Sequence, residues 1–357
     1  METYVSLPGT FIIAGLGFIL LCVLTLPFLI KKIEHNLEAF LFVMGVLAVT
    51  ISQLWSFEVI KTAALSPVSP KHPIVEVVLI AGILFILLSQ KIKSVTRSLE
   101  QKLGLKLFVF LLVFLLGLLS SVITAIIAAL VLVEIISALR LDKKTETTIV
   151  IFSCFSIGLG AVLTPVGEPL STIAVSRLKG EPYNADFFFL IRNLAVYVIP
   201  GVLFCALTGS YYSKRNPSTC DTLEAEKSET YKDVLIRSGK VFLFIMALEL
   251  LAKGFSPVVD YLMPRVSPQV LYWINTISAV LDNATLTAAE ITPKMGILQI
   301  RAMLMGLLIS GGMLIPGNIP NIIAAGKLKI GSKAWAKLAA PFGLILLVVY
   351  YIILFVF

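Results

Sequence analysis

Apolar runs of about 17 to 25 residues recur along the chain between short polar stretches, each long enough to cross roughly 30 Å of hydrocarbon as a helix. They predict crossings near 8–30, 37–54, 73–90, 147–178, 187–212, 234–253, 297–326 and 335–357. The fourth and seventh of these are interrupted by glycine and proline. Two further apolar segments, 105–139 and 268–293, carry small polar residues at their middles. Arms of roughly 15 residues in the first, about 22 Å of helix, and of about 13 in the second fall short of a full crossing, so each segment predicts a re-entrant hairpin rather than a pair of spans. The fold class expected is an all-α polytopic membrane protein of about eight transmembrane helices plus two re-entrant hairpins.

Composition agrees with lipid as the main solvent: 58% of the 357 residues are hydrophobic, 14% are charged and the mean hydropathy is +0.97. The first run lacks the basic start and the cleavage site of a secretory leader and is expected to stay in the mature protein. The net charge of +8 gathers in loops, at Lys31 and Lys32, Lys91 to Lys106, Arg140 to Lys144, Lys214 to Lys240 and Lys327 to Lys337. Such loops face the cytoplasm, so the charge reads as topology rather than as a nucleic-acid surface. It predicts a multi-pass protein of the cell inner (plasma) membrane with both termini outside. Cys22, Cys154, Cys205 and Cys220 show no metal-ligand spacing, and His35 and His72 stand alone in loops.

The pieces repeat. After the first hairpin comes a break at Thr164-Pro-Val-Gly-Glu-Pro169, and after the second a break at Pro316-Gly-Asn-Ile-Pro-Asn321. Setting Gly167 on Gly317 pairs Glu168 with Asn318, Ser171 with Asn321 and Ile173-Ala174 with Ile323-Ala324. The expected organisation is N-terminal scaffold helices over 1–72, a first repeat over 73–212, a cytoplasmic linker over 213–233 and a second repeat over 234–357. An odd number of crossings between the repeats gives them inverted topology, an arrangement of secondary transporters.

The chemistry lies at the tips and breaks. Glycine and proline inside a crossing free backbone carbonyls that suit a cation such as Na⁺, and half-helix N-termini that suit an anion. Ser121, Thr124, Asn283 and Thr285 offer further oxygens, while Glu168 and Asp282 put carboxylates where burial is costly. Either carboxylate could instead cap the following half-helix. Glu134 and Glu290 lie on the returning arms, and Glu249 has Lys253 four residues on as an expected partner. No HExxH, GxSxG or GxxxxGK[ST] points to an enzyme or an ATP-driven pump.

At these motifs, together with Leu281-Asp-Asn-Ala-Thr285, the sequence resembles the ion transporter superfamily, which includes NhaD-type sodium/proton antiporters, arsenite exporters and dicarboxylate/sodium symporters. It looks closest to the prokaryotic group described as cation transporters. The resemblance implies two hairpin-plus-break ion sites, often in a homodimer with an elevator-like motion. Carried onto this chain, the first site would use Ser120, Ser121, Thr124, Gly167 and Glu168, and the second Asp282, Asn283, Thr285, Gly317 and Asn318. The first tip lacks the Asn or Asp usual in relatives. The function expected is a sodium, or other small cation, for proton antiporter without a cofactor, its partners being lipid, a small inorganic ion and protons. The alternatives are a sodium-coupled carrier of a small anion, a channel, or a membrane protein without transport.

Overall fold

The computed structural model describes residues 9–30, 32–33, 36–68, 74–214, 230–262, 266–280 and 283–356, and every regular element among them is helical. The N-terminal part holds α1 (Thr10–Leu29), α2 (Leu37–Ile51) and α3 (Phe57–Leu65). Next come α4 (Ile74–Leu103), α5 (Leu105–Ile123), α6 (Ala125–Leu139), α7 (Lys143–Ala161), α8 (Pro169–Arg177) and α9 (Phe189–Tyr212). The remainder holds α10 (Tyr231–Leu262), α11 (Pro268–Ile274) with a 3-10 turn at Asn275–Ala279, α12 (Asn283–Glu290), α13 (Ile297–Gly311), α14 (Ile319–Lys327) and α15 (Ser332–Phe355).

Among the described residues, four helices are long and apolar enough to cross a membrane: α1, α5, α9 and α15. α15 shows why lipid is their solvent. One stripe, Trp335, Ala339, Phe342, Leu346, Leu347, Tyr350 and Leu354, is buried at helical spacing. The opposite stripe, Leu344, Ile345, Val348, Val349, Ile352 and Ile353, is exposed and equally apolar. A helix apolar all round loses stability in water unless something apolar covers its outer face. The apolar helices α2, α6 and α13 are shorter, at 15 residues each.

The hydrogen bonds between helix ends fix which ends lie together. At the C-terminal end of α9, Ser210 Oγ donates to Lys106 O at 2.8 Å and Thr145 Oγ1 donates to Lys214 O at 3.2 Å. The starts of α5 and α7 therefore share one end of the bundle, so α5 and α6 leave that end and return to it. At the N-terminal end of α9, Arg301 Nη2 donates to Asn193 Oδ1 at 3.1 Å, Tyr183 donates to Met295 O, and Gln299 Nε2 donates to Val266 O at 3.4 Å. The starts of α11 and α13 share that other end. The two hairpins therefore open toward opposite ends of the 24-residue α9.

The first arm is longer than the sequence predicts. Ser120 and Ser121 turn their hydroxyls back onto Gly117 O and Leu118 O at 2.6 and 2.7 Å, so the helix runs on to Ile123 and α5 reaches 19 residues. That length is enough to cross by itself. The second hairpin is shorter than expected, with a returning arm of 8 residues.

α2 lies on α10 through small residues. A Cβ on Gly45 would sit 2.8 Å from Leu250 Cβ and 2.9 Å from Ala247 O, and one on Gly254 would overlap Ala48. Ser52 Oγ donates to Gly254 O at 2.6 Å, and Lys240 pairs with Glu38 at 2.8 Å. Close approach of this kind takes the place of the hydrophobic effect between helices in lipid. Gly254→Leu should separate α2 from α10 and cost about 1–3 kcal/mol, seen as a lower thermal midpoint of the detergent-purified protein. Gly239→Leu, on the same helix with open space around it, should leave the midpoint unchanged.

Candidate functional site

The two helix breaks have the same local build at a spacing of 150 residues. α7 ends at Ala161 and α13 at Gly311; α8 spans Pro169–Arg177 and α14 spans Ile319–Lys327. The residues between form turns, a 3-10 turn at Ile315–Gly317 among them, and the residue just before each second half is extended, with φ −157° and ψ 162° at Glu168 and φ −154° and ψ 146° at Asn318. In both breaks a glycine lies against a carbonyl six residues earlier. A Cβ on Gly167 would overlap Ala161 O, and one on Gly317 would lie 2.6 Å from Gly311 O. Only glycine allows the chain to fold back this tightly.

Each hairpin tip packs into its own break. At the first, Ala125 N donates to Gly167 O at 2.8 Å, Thr164 Oγ1 donates to Ser121 O, and Ser120 Oγ reaches Ile157 O at 3.0 Å. Ser120 and Ser121 are buried. Thr124 forms the turn itself at φ 77° and ψ 148°, while its Oγ1 accepts from Ile127 N at 3.3 Å. A β-branched residue at positive φ is strained by about 1–3 kcal/mol, a condition found where function demands it. Glu168 is buried at the N-cap of α8, where its carbonyl receives Ser171 Oγ at 2.8 Å.

At the second tip, Asn283 is buried and its Oδ1 accepts from Ser278 Oγ, which also reaches Leu307 O at 3.3 Å. Gly317 faces the end of the 3-10 turn: a Cβ there would lie 2.9 Å from both Ser278 O and Ala279 O. Asn318 caps α14 and is 9% exposed. Asp282 lies outside the described residues, as do His35, His72, Cys220 and the side chain of Thr285.

The second break also meets α7 close to where that helix ends. A Cβ on Gly158 in α7 would lie 2.9 Å from Asn318 Nδ2, one on Gly312 would overlap the Phe155 ring, and Cys154 Sγ approaches Pro320 O at 3.8 Å. The second broken helix therefore crosses the first with its interruption against the last two turns of α7, just before the first break, in the interior of the bundle.

Several carbonyls freed by the breaks already have side-chain partners. Asn321 Nδ2 donates to Gly311 O at 2.8 Å and to Leu314 O at 3.0 Å, Trp335 Nε1 donates to Gly312 O at 3.2 Å, and Thr172 Oγ1 donates to Pro165 O. Backbone groups at membrane depth require such partners. Two buried side-chain atoms at the second site, Asn283 Nδ2 and Asn321 Oδ1, have no hydrogen-bond partner among the described residues. No three His, Cys, Asp or Glu side chains gather among the described residues, so the polar atoms here are hydroxyl, amide and carbonyl groups with Glu168.

Sequence reasoning passed over Ser278 and Trp335, and weighed Asn321 only as the counterpart of Ser171. Ser278 carries only a weak signal in hindsight, a hydroxyl five residues before Asn283, because Thr276 two residues earlier carries the same one. Trp335 carries none, because its partner lies 23 residues away. Glu249 accepts from Ser66 Oγ at 2.6 Å, an interaction that spacing along the helix does not reveal.

No curated protein matches the sequence. A family model described as "Protein of unknown function (DUF1646)" matches residues 13–357, and the chain belongs to that family.

Proposed function

We propose that the chain is a secondary active transporter exchanging a small cation, Na⁺ foremost, for protons across the inner (plasma) membrane. The observation that carries this reading is the crossing of two broken helices of matching build, each with a hairpin tip packed into its break. Broken helices at a repeat interface are a recurring way to place an ion site at mid-membrane. The opposite openings of the hairpins, and the 24-residue length shared by α9 and α15, support two inverted repeats of hairpin, broken helix and span. The end of the bundle holding Lys106, Lys143, Lys214 and Leu328 is rich in Lys and Arg, which supports a cytoplasmic assignment for it and eight crossings with both termini outside.

A cation is favoured over an anion because the N-cap of α8 already carries the carboxylate of Glu168. Hydroxyl and carbonyl oxygens are hard ligands that suit Na⁺. The first site would use Ser120, Ser121, Thr124, Gly167 and Glu168, and the second Asp282, Asn283, Thr285, Gly317 and Asn318.

The test is cation-driven proton movement in proteoliposomes with an entrapped pH dye, using Na⁺, Li⁺, K⁺ and Ca²⁺ in turn. A cation-dependent signal in the wild type, lost in Asp282→Asn, is the expected result. Silence with every cation sinks the antiport reading and turns attention to sodium-coupled uptake of a small anion.

A further inference from the structure

Between the two arms of the second hairpin, away from both tips, sits a buried carboxyl–amide pair. Glu290, the last residue of α12, is 3% exposed, and Asn275, at the start of the 3-10 turn, is 0% exposed. Asn275 Nδ2 donates to Glu290 Oε2 at 2.9 Å and to Met303 O at 3.4 Å. Those two acceptors use both amide hydrogens and fix the orientation of the amide, since a flipped group would set its oxygen against two others. Two atoms of the same pair are then left without a partner among the described residues, Glu290 Oε1 and Asn275 Oδ1.

With the carboxylate ionised, both are acceptors and neither can serve the other. Each unmade bond in a buried place costs about 1–3 kcal/mol, and the charge itself is buried without a cation beside it. The charged and titratable groups described on the surrounding elements are engaged or turned away. Arg301 on α13 donates to Asn193, Tyr272 on α11 donates to Leu347 O, Lys240 on α10 pairs with Glu38, and Glu249 receives Ser66. Lys232 and Lys253 on α10 are exposed, and Glu168 and Arg177 belong to the two ends of α8. None of these makes an ion pair or hydrogen bond with Glu290.

We infer that Glu290 and Asn275 form a binding site for one proton, in which Glu290 is a neutral carboxylic acid donating from Oε1 to Asn275 Oδ1. One proton then gives both orphaned oxygens a partner and closes a doubly hydrogen-bonded ring across the arms. Its departure leaves a carboxylate and sets two lone-pair oxygens against each other, which drives the arms apart. Asn275 lies one turn before Ser278, so the strain reaches the second tip directly. The role of this proton in exchange rests on the antiport reading; its presence does not.

Infrared difference spectra of the protein in lipid at neutral pH, wild type minus Glu290→Gln, test the site. The expected result is one protonated-carboxyl C=O band present only in the wild type, moved to higher frequency in Asn275→Ala, which lacks the amide. Absence of that band overturns the proposal. Thermal unfolding gives a second reading that survives poor expression of any one variant. A proton held by the native state and released by the unfolded chain above about pH 4.3 makes wild-type stability fall as pH rises, relative to Glu290→Gln. Parallel pH profiles for the two proteins overturn the site as well. A band lost as expected, beside a wild type that moves no protons with any cation, leaves the proton site standing and overturns antiport.

Discussion

Gly160→Ala is expected to destroy the first tip site while adding only one methyl group. α7 passes α5 so closely that a Cβ on Gly160 would overlap the backbone carbonyl of Gly117. The obstacle is backbone and cannot swing aside as a flexible side chain would. Van der Waals contact needs roughly 3.5 Å, so the helices must separate by more than an ångström along their contact. The same contact holds the hydrogen bond from Ser120 to Ile157 O and the approach of Ser156 Oγ to Val113 O at 2.9 Å. Overpacking of this kind costs about 1–3 kcal/mol, and lost buried hydrogen bonds add about 1 kcal/mol each. The thermal midpoint in detergent should fall clearly, and the proposed cation–proton exchange in proteoliposomes should vanish with it. Gly180→Ala, in an exposed turn with nothing nearby, is the control and should match the wild type in both assays. A Gly160→Ala protein of normal stability and activity would refute the close crossing of α5 and α7.

Loss of either member of the Glu134–Lys327 pair should have a comparable effect by a different route. Glu134 lies on the returning arm of the first hairpin and Lys327 in the last turn of α14, so the pair joins the two halves of the chain. The side chains are 10% and 15% exposed. Surface pairs contribute little, but taking one partner from a buried pair costs about 3–5 kcal/mol, because a desolvated charge loses its counter-charge. Glu134→Gln and Lys327→Gln should each lower the thermal midpoint. The double exchange Glu134→Lys with Lys327→Glu should recover part of the loss, since charge complementarity returns while the fine geometry does not. A double-mutant cycle measures the coupling, and additive losses would mean that the two side chains do not interact.

Breaks and hairpin arms were legible in the sequence for one reason. Glycine, proline and small polar residues are rare enough in apolar runs that Gly158 to Pro169 and Gly311 to Pro320 stand out, and in the structure α7 and α13 stop there. Arm length was less legible. Ser120 and Ser121 read as a break, yet a serine hydroxyl can satisfy itself on the carbonyl one turn back, which leaves the helix intact until Thr124. Pairings over long separations were not legible: Lys327 finds Glu134 193 residues away, and Ser66 finds Glu249 183 residues away. Charges three or four apart on one helix, such as Glu249 and Lys253, are pairs that a single sequence proposes, and tertiary packing offers others. The freed carbonyls were read as ligands in waiting, whereas Asn321, Trp335 and Thr172 occupy several of them.

The 150-residue spacing of the two breaks makes the molecule its own comparison. A substitution at any position from 168 to 177 has a twin at the position 150 higher, in or at the N-cap of a half-helix of the same length with an extended N-cap residue. Ser171 and Asn321 form one such couple, as do Glu168 and Asn318. Changing each member alone and then both separates what a residue type does in that backbone setting from what its particular neighbours add, with expression, lipid and assay held identical in one polypeptide.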